Sequence, residues 1–229
     1  MTLLPRISAL RALAACLAAC VVCTVGCNYV IPAMWIAQGP PKKPAVYTLP
    51  KDLKTTVFVD DRKNVISRTQ LRAQLADDIA TELTTQGLVS NVVSGRELIA
   101  FVRRTETPSK RVSIEDLGNA VGADVVIYVE MLTFDLMADG ATPRPSASAR
   151  IKVVDVKSKE RLFPPTGGDK QGFEVSAETE ALQPGIYRTS AGRRTVEDML
   201  EKKLGDAIVK LFYDHEPRNF GQGVSGLGN

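Results

Sequence analysis

The first half of the chain alternates between short strand-like runs and longer helix-like stretches. Thr55–Val59 is β-branched and aromatic, which predicts a buried strand. Beyond this run, apolar residues recur at every fourth position, which predicts a helix with one buried face. A capping box of Ser67 and Gln70 should open this helix, and Gly87 should end it. The residues on the apolar face are Leu71, Leu75, Ile79 and Leu83.

The pattern then repeats with shorter elements, and predicts a second strand, two short capped helices and a third strand. The order of these elements is β-α-β-α-α-β. Strands separated by helices pair in parallel through right-handed crossovers, so we expect a parallel sheet here. The strands are Leu88–Val93 and Val125–Val129, and the helix boundaries are Ser94 with Glu97, Ser113 with Asp116, and Gly122.

The second half of the chain changes to a period of two. Apolar and polar residues alternate over Ala147–Val153 and again over Gly172–Thr179, and Arg161–Phe163 lies between them. These segments predict antiparallel strands added to one edge of the sheet. Thr195 and Asp198 should open a last helix. Its predicted buried stripe is Val196, Met199, Leu200, Leu204, Ile208, Leu211 and Phe212.

The fold class is therefore α/β (α+β), with one mixed domain over residues 53–216. The domain combines the β-α-β-α-α-β start, the antiparallel hairpin strands and a C-terminal helix. Residues 217–229 are rich in glycine, and we expect them to form a disordered tail.

The N-terminal segment has the features of a bacterial signal peptide. Arg6 and Arg11 precede an uncharged apolar run over Ala12–Val25, which is short for a membrane span. Thr24-Val25-Gly26-Cys27 resembles a lipobox, so residues 1–27 are interpreted as a lipoprotein signal with Cys27 as the acylated residue, which would carry palmitate. Cys20 is an alternative acylation site, although fewer apolar residues precede it. An uncleaved anchor helix is a second alternative.

Residues 28–52 are predicted to form a membrane-proximal linker. Gly39–Pro44 contains three prolines and two lysines, which makes a stiff, extended spacer. Fully extended, the segment from Asn28 to Pro50 would reach roughly 75 Å. The apolar residues that precede the spacer either lie in the lipid interface or pack on the domain. They are Tyr29, Ile31, Met34 and Trp35.

Composition excludes several classes of site. The four cysteines all lie within the first 27 residues, so the domain can form no disulfide and no cysteine-ligated metal site. The single histidine, His215, rules out a multi-histidine metal site, and we expect no cofactor. The formal net charge is only +3, which argues against nucleic acid as a partner. No phosphate-binding loop, dinucleotide-binding, serine-hydrolase or zinc-protease motif occurs.

Three groups of residues are candidates for a functional role. Asp60-Asp61 could be a carboxylate pair, although a solvated turn is the favoured interpretation. His215 is interpreted as a cation near the end of the last helix rather than as a catalytic group. The third group lies around a predicted loop at Thr189–Gly192. Its aromatic and basic side chains are typical of protein interfaces, so a partner-binding role is assigned to Tyr187, Arg188, Arg193 and Arg194.

The stretch from Thr55 to Phe163 resembles a fold shared by several envelope lipoproteins. These are the peptidoglycan-synthase activators of the LpoB type, the curli-secretion lipoprotein CsgG and the N-terminal domain of TolB. The matching features are the opening strand, the long helix ending near Gly87, and Val121–Asp124 leading into the third strand. The resemblance covers about half of the chain and implies the fold, whereas its members have different functions.

Together these features predict a non-catalytic accessory factor in cell-envelope assembly. We expect an acyl anchor in membrane lipid, the outer rather than the inner membrane, a domain facing the periplasm, and an envelope protein as partner. One alternative is a subunit of an oligomeric secretion pore. A second alternative is a hydrolase with an unrecognised site.

The lipobox interpretation predicts the behaviour of a single variant. Cys27→Ser should leave the precursor uncleaved and should abolish incorporation of labelled palmitate, because the thiol that accepts the lipid is lost. Metabolic labelling followed by immunoprecipitation measures both effects. Continued labelling of the variant would move the acylation site to Cys20 or remove the lipoprotein interpretation.

Overall fold

The computed structural model describes residues 42–107, 110–137, 144–165 and 171–217. The predictions for the signal segment 1–27, for Cys27, for residues 28–41 of the linker and for residues 218–229 lie outside this part. Internal contacts divide the chain into two units. The larger unit spans Pro44–Asp214 and contains every described helix and strand. Of the smaller unit, Lys43 and His215 form an isolated antiparallel bridge.

The described strands form one mixed sheet of six strands, in the order β2-β1-β3-β4-β5, with β6 also paired to β4. β1 is parallel to both β2 and β3, while β3, β4, β5 and β6 pair in antiparallel fashion. The predicted parallel start and antiparallel edge are therefore both confirmed. The strands are β1 (Lys54–Asp60), β2 (Asn91–Val93), β3 (Val125–Asp135), β4 (Ser146–Asp155), β5 (Arg161–Phe163) and β6 (Phe173–Glu178).

Four α-helices and one 3-10 helix occur in the described part of the chain. The α-helices are α1 (Thr69–Thr85), α2 (Arg96–Thr105), α3 (Ile114–Val121) and α4 (Ser190–Val209), and the 3-10 helix is Pro184–Arg188. None of the described helices combines the length and the apolar character that crossing a bilayer requires. The mixed α/β fold class with a C-terminal helix is thus confirmed.

The sheet buries side chains on both faces. On one face, α1 and α4 cover the larger core, in which the predicted stripe Leu71, Leu75, Ile79 and Leu83 is fully buried. On the other face, α2 and α3 cover a smaller cluster around Phe58 and Tyr128. Alternate residues of β1 and β3 therefore enter different cores, because successive side chains of a strand point to opposite faces.

The segment before β1 belongs to the larger unit. Backbone N–H groups of Val46 and Tyr47 donate to the Leu211 carbonyl at 2.7 and 3.0 Å. The Tyr47 ring stacks on Phe163 with centroids 5.3 Å apart, and Leu49 is buried. The compact unit consequently begins at Pro44, ahead of the linker boundary at residue 52 that composition suggested.

Local sequence signals identify some helix ends and miss others. Gly87 and Gly122 both adopt the left-handed conformation, and Ser113 accepts a hydrogen bond from the Asp116 N–H, as predicted. The capping boxes at Ser67 and Ser94 are wrong, since the N-cap residues of α1 and α2 are Arg68 and Gly95, whose side chains form no cap. The Ser94 hydroxyl oxygen does accept a hydrogen bond from the Arg96 N–H at 3.4 Å, from one position outside the N-cap.

Long-range packing explains the shift at the start of α2 and the shortening of β2. A Cβ at position 95 would lie 2.2 Å from the Val57 carbonyl oxygen, so only glycine lets the helix start pass over β1. The predicted second strand begins at Asn91 rather than Leu88. Leu88 and Ser90 instead donate their N–H groups to Leu83 and Lys51.

The residues buried in the larger core allow a test of which faces of α1 and β3 point inward. Leu75 and Ile79 on α1 and Ile127 on β3 are fully buried, so truncating any of them to Ala should cost about 2–5 kcal/mol of unfolding free energy. Met137, which is 48% exposed, provides the control, and Met137→Ala should cost less than about 0.5 kcal/mol. Denaturant titration measures both. Losses as small as the control at all three buried positions would contradict the packing described here.

Candidate functional site

The four residues assigned to partner binding lie at the N-terminal end of α4. Tyr187 and Arg188 belong to the 3-10 helix, and Arg193 and Arg194 lie in the first turns of α4. The predicted loop at Thr189–Gly192 is wrong, because the helix begins at Ser190 rather than near Thr195. The structure thus places these residues on ordered helices, and their partner-binding role stays a prediction.

Two local interactions explain the early start of α4. The Thr189 hydroxyl oxygen accepts a hydrogen bond from the Gly192 N–H at 3.0 Å and so caps the helix. A Cβ at position 192 would lie 2.0 Å from the Ile186 carbonyl oxygen, so glycine is required where the 3-10 helix meets α4. In the sequence, the signal for this helix start is a threonine three residues before a glycine, Thr189 and Gly192.

The Tyr187 side chain joins the 3-10 helix to Leu136, just past the end of β3. Its hydroxyl donates to the Leu136 carbonyl at 3.1 Å, and burial raises the pKa of the phenol. The residue is half-buried, whereas Arg188, Arg193 and Arg194 are exposed. The Tyr187 side chain therefore packs inward and holds the segment in place, whereas the three arginine side chains face solvent.

The three arginines have no acidic partner in the part of the chain that is described. Glu197 and Asp198 lie one turn beyond Arg193 and Arg194, at the spacing that favours ion pairs on a helix. Both acids pair instead with Arg68, at the start of α1. The first turn of α4 contains no acidic residue. Cations close to this end of a helix oppose its dipole, so the arginines contribute nothing to helix stability.

The arginines and the N-terminal arm, which is the segment of residues 44–53 before β1, lie at opposite ends of α4. The arm is bonded to Leu211, just past the end of the helix, and its Ala45 N–H donates to the Asp214 carboxylate at 2.8 Å. A helix of 20 residues is about 30 Å long. The arginine end is therefore distant from the point at which the chain enters the larger unit.

Asp60 and Asp61 are buried rather than solvated, so the interpretation as a solvated turn is wrong. The two Asp61 oxygens accept hydrogen bonds from the N–H groups of Val65 and Ile66 at 2.8 and 3.0 Å. Arg72 Nε lies 3.2 Å from the same carboxylate. Asp61 thereby fixes the connection between β1 and α1. Sequence could not show this, because the acceptor role depends on how the connection folds back.

Asp60 faces the opposite side of the sheet, beside Tyr128. It accepts a hydrogen bond from the Tyr128 hydroxyl, and Arg62 Nε lies 2.8 Å from its carboxylate. Burial raises the pKa of Asp60, against the lowering effect of the Tyr128 hydrogen bond and the Arg62 charge. Both aspartates are thus engaged in internal contacts, and the described residues contain no cluster of acidic, histidine or cysteine side chains suited to a metal ion.

His215 lies beyond the C-terminal end of α4, which is at Val209. Its backbone exchanges two hydrogen bonds with Lys43, at 2.7 and 3.0 Å. His215 therefore sits in a short antiparallel bridge with Lys43, and its interpretation as a cation near the helix end stays a prediction.

A buried acidic pair between α1 and α4 escaped the sequence analysis. Glu201 is 1% exposed and Glu197 is 8% exposed. Glu197 pairs with Arg68 Nε at 2.7 Å, while Glu201 accepts one hydrogen bond from the Gln74 amide at 3.1 Å. Burial raises the pKa of Glu201 to about 8, and the charges of Asp78 and Asp198 act in the same direction. In the sequence, the only sign that these glutamates are buried is their position. Each directly follows a residue of the apolar stripe on α4, Val196 or Leu200.

The raised pKa of Glu201 predicts a pH-dependent stability. The folded chain holds this proton up to about pH 8, whereas the unfolded chain loses it near pH 4.5, so stability should fall as pH rises through that window. The slope from this group is at most about 1.4 kcal/mol per pH unit. Glu201→Gln should therefore raise the melting temperature at about pH 8 and leave it nearly unchanged at about pH 4. The exposed Glu97→Gln is the control, and equal shifts at both pH values would contradict the prediction.

No protein-family model matches the sequence, and no curated protein matches it. Solved structures match the fold at low identity. The PelC dodecamer from Paraburkholderia phytofirmans aligns with a TM-score of 0.40 and 8% identity, over 75% of this chain and 97% of its own. Lipoprotein GNA1162 from Neisseria meningitidis aligns with a TM-score of 0.38 and 15% identity, over 65% and 99%.

The LpoB C-terminal domain from Salmonella enterica also aligns, with a TM-score of 0.30 and 14% identity, over 67% of this chain and 92% of its own. The similar structures thus include a lipoprotein and a member of the group that the Thr55–Phe163 stretch resembles. At these TM-scores the similarity is distant, and it assigns no function to this chain.

Proposed function

We propose that this chain is a membrane-anchored envelope lipoprotein whose larger unit is a non-catalytic binding module. It contacts a protein partner in cell-envelope assembly through Tyr187, Arg188, Arg193 and Arg194, here called the α4 arginine surface. Cys27 supplies the anchor, and residues 28–43 separate the anchor from the unit.

The observation that carries this proposal is the unpaired charge of the α4 arginine surface. Arg188, Arg193 and Arg194 are exposed, and no described acidic residue pairs with them. They lie close to the positive end of a helix dipole, where they gain nothing from folding. Arginine is enriched at the centres of protein interfaces, since its planar group makes several directed hydrogen bonds. A partner that supplies carboxylates or carbonyl groups would complete these bonds.

The position of the surface favours a protein partner over the anchoring membrane. The arm that leads toward the anchor is bonded beside the C-terminal end of α4, about 30 Å from the arginines. A stiff, proline-containing spacer precedes this arm. In this proposal, the arginine end is the end of α4 that does not carry the arm, and it is available to a protein partner.

A pore subunit is the weaker alternative. A lipid-facing strand needs an outward apolar face. The apolar face of β4 is instead occupied by the larger core, where Ala147, Ala149, Ile151 and Val153 are buried. A lipid-facing role for this strand would require its separation from α4.

Site-specific crosslinking in intact cells tests the proposed surface. A photo-crosslinking residue at the exposed Ser190 should capture a partner protein when the full chain is otherwise unchanged. Replacing Arg188, Arg193 and Arg194 together by Ala should lower the adduct at least about tenfold, equivalent to about 1.4 kcal/mol of binding free energy. The melting temperature should be unchanged or slightly higher, because the arginines oppose the helix dipole.

The matched control removes three exposed cations elsewhere, with Lys51, Lys54 and Lys159 replaced by Ala. This control should preserve the adduct at Ser190. Equal adduct yields from the arginine variant and the control would exclude the α4 arginine surface as the contact. Turnover of an envelope substrate by the purified full chain would contradict the non-catalytic role.

A further inference from the structure

The least covered of the described α-helices is α2. Among its residues only Leu98 is fully buried, while Ile99, Phe101 and Val102 are half-buried. The helix lies on the face of the sheet opposite to α4, over the cluster around Phe58 and Tyr128. Part of its apolar surface thus remains open to further contacts.

Open hollows lie on both sides of this helix. The hollow toward α1 has a volume of about 560 Å³ and is here called the α2 groove. A second hollow of about 450 Å³, toward α3, includes Phe101, Lys110, Arg111 and Asp116 in its lining. The residues of the α2 groove are Ala73, Arg96, Ile99, Ala100, Arg103 and Arg104.

The α2 groove combines an apolar floor with unpaired positive charge. Arg96 pairs with Asp77 at 2.6 Å, but neither Arg103 nor Arg104 has an acidic partner among the described residues. Arg104 Nε donates only to the Ala100 carbonyl, at 3.2 Å. Both side chains are exposed. The groove therefore presents two guanidinium groups that lack an acidic partner among the described residues, beside Ile99 and the two alanines.

We propose that the α2 groove binds an acidic peptide segment of another protein, with an apolar side chain seated in it. Carboxylates of the segment pair with Arg103 and Arg104, which can each make two parallel hydrogen bonds to a carboxylate. The apolar side chain covers Ile99 and Ala100. Recognition of acidic motifs by arginine clusters is a recurrent mode of peptide binding.

Charge disfavours the flanking segments of this chain as the occupant. Residues 1–41 and 218–229 contain no aspartate and no glutamate to pair with the two arginines. A membrane surface also fits poorly. The apolar side chains of α2 are half-buried beside a hollow, whereas the strongly exposed large apolar residues of the described chain are Val46 and Met137. Insertion into a bilayer would need protruding large apolar side chains, and α2 presents none.

A binding titration with a defined probe tests this proposal. The probe is a fluorescein-labelled synthetic peptide of Glu and Leu at helical spacing, added to the full chain in nonionic detergent. Its fluorescence anisotropy should rise on binding, and the affinity should fall as salt is added, because exposed charges are screened. The same peptide with Lys in place of Glu should not bind.

Two variants separate the contribution of the arginine charges to peptide affinity from the contribution of the apolar lining. Arg103→Glu with Arg104→Glu should weaken binding at least about tenfold and remove its salt dependence. Ala100→Trp should weaken binding without any change of charge, since the added ring fills the groove. Lys51→Glu with Lys159→Glu reverses two exposed charges elsewhere and should leave the affinity unchanged.

Three outcomes would overturn the proposal. Unchanged affinity in both groove variants would place the peptide elsewhere. Displacement of the peptide by phosphatidylglycerol in the micelles would identify a lipid surface as the occupant. Self-association of the free chain that the double charge reversal abolishes would identify a second copy. None of these results depends on Cys27 or on the α4 arginine surface, so this proposal can fail while the proposed function stands.

Discussion

The fold depends on the burial of β3 on all sides. This strand is hydrogen-bonded to β1 on one edge and to β4 on the other, and it is where the parallel and antiparallel halves of the sheet join. Val125–Val129 is buried on both faces, with α1 and α4 on one side and α2 and α3 on the other. A strand buried in this way must be apolar at consecutive positions, as parallel strands generally are. The two helix layers thus pack on alternate residues of the same strand, with Val125, Ile127 and Val129 on one face and Val126 and Tyr128 on the other.

Features that depend on neighbouring residues in the sequence were predictable, whereas features that depend on contacts between distant segments were not. The apolar face of α1 and the glycines that end α1 and α3 follow from residues within one or two turns. The starts of α1 and α2 do not, because Arg68 is held by acids of α4 and Gly95 passes over the backbone of β1. At the candidate surface, the Arg and Tyr side chains predict an interface, and this stays a prediction. The predicted conformation of their segment was wrong, because the Thr189 cap makes it helical.

Burial separates the charges of this chain by sign. The fully buried charged residues of the described part are Asp60, Asp61, Glu197 and Glu201, and no lysine or arginine is among them. Formal charge is nearly balanced over the sequence, so withdrawal of carboxylates into the interior leaves an exposed surface that is more basic than composition suggests. The exposed arginines on α2 and α4 that lack a described acidic partner are the clearest examples of this excess of basic charge at the surface. Counting residues could not reveal it, since the acids are buried by contacts between distant segments, such as Asp60 with Tyr128.

The bonding of the N-terminal arm also has a mechanical consequence. Any tension transmitted from an anchor reaches the larger unit at Ala45–Tyr47, where three hydrogen bonds join the arm to Leu211 and Asp214. The load therefore passes first to the segment that follows α4, and only then, through Leu49, to the start of β1. These three bonds are far fewer than those that join β3 to β4, so under load we expect the arm to separate before the sheet is strained.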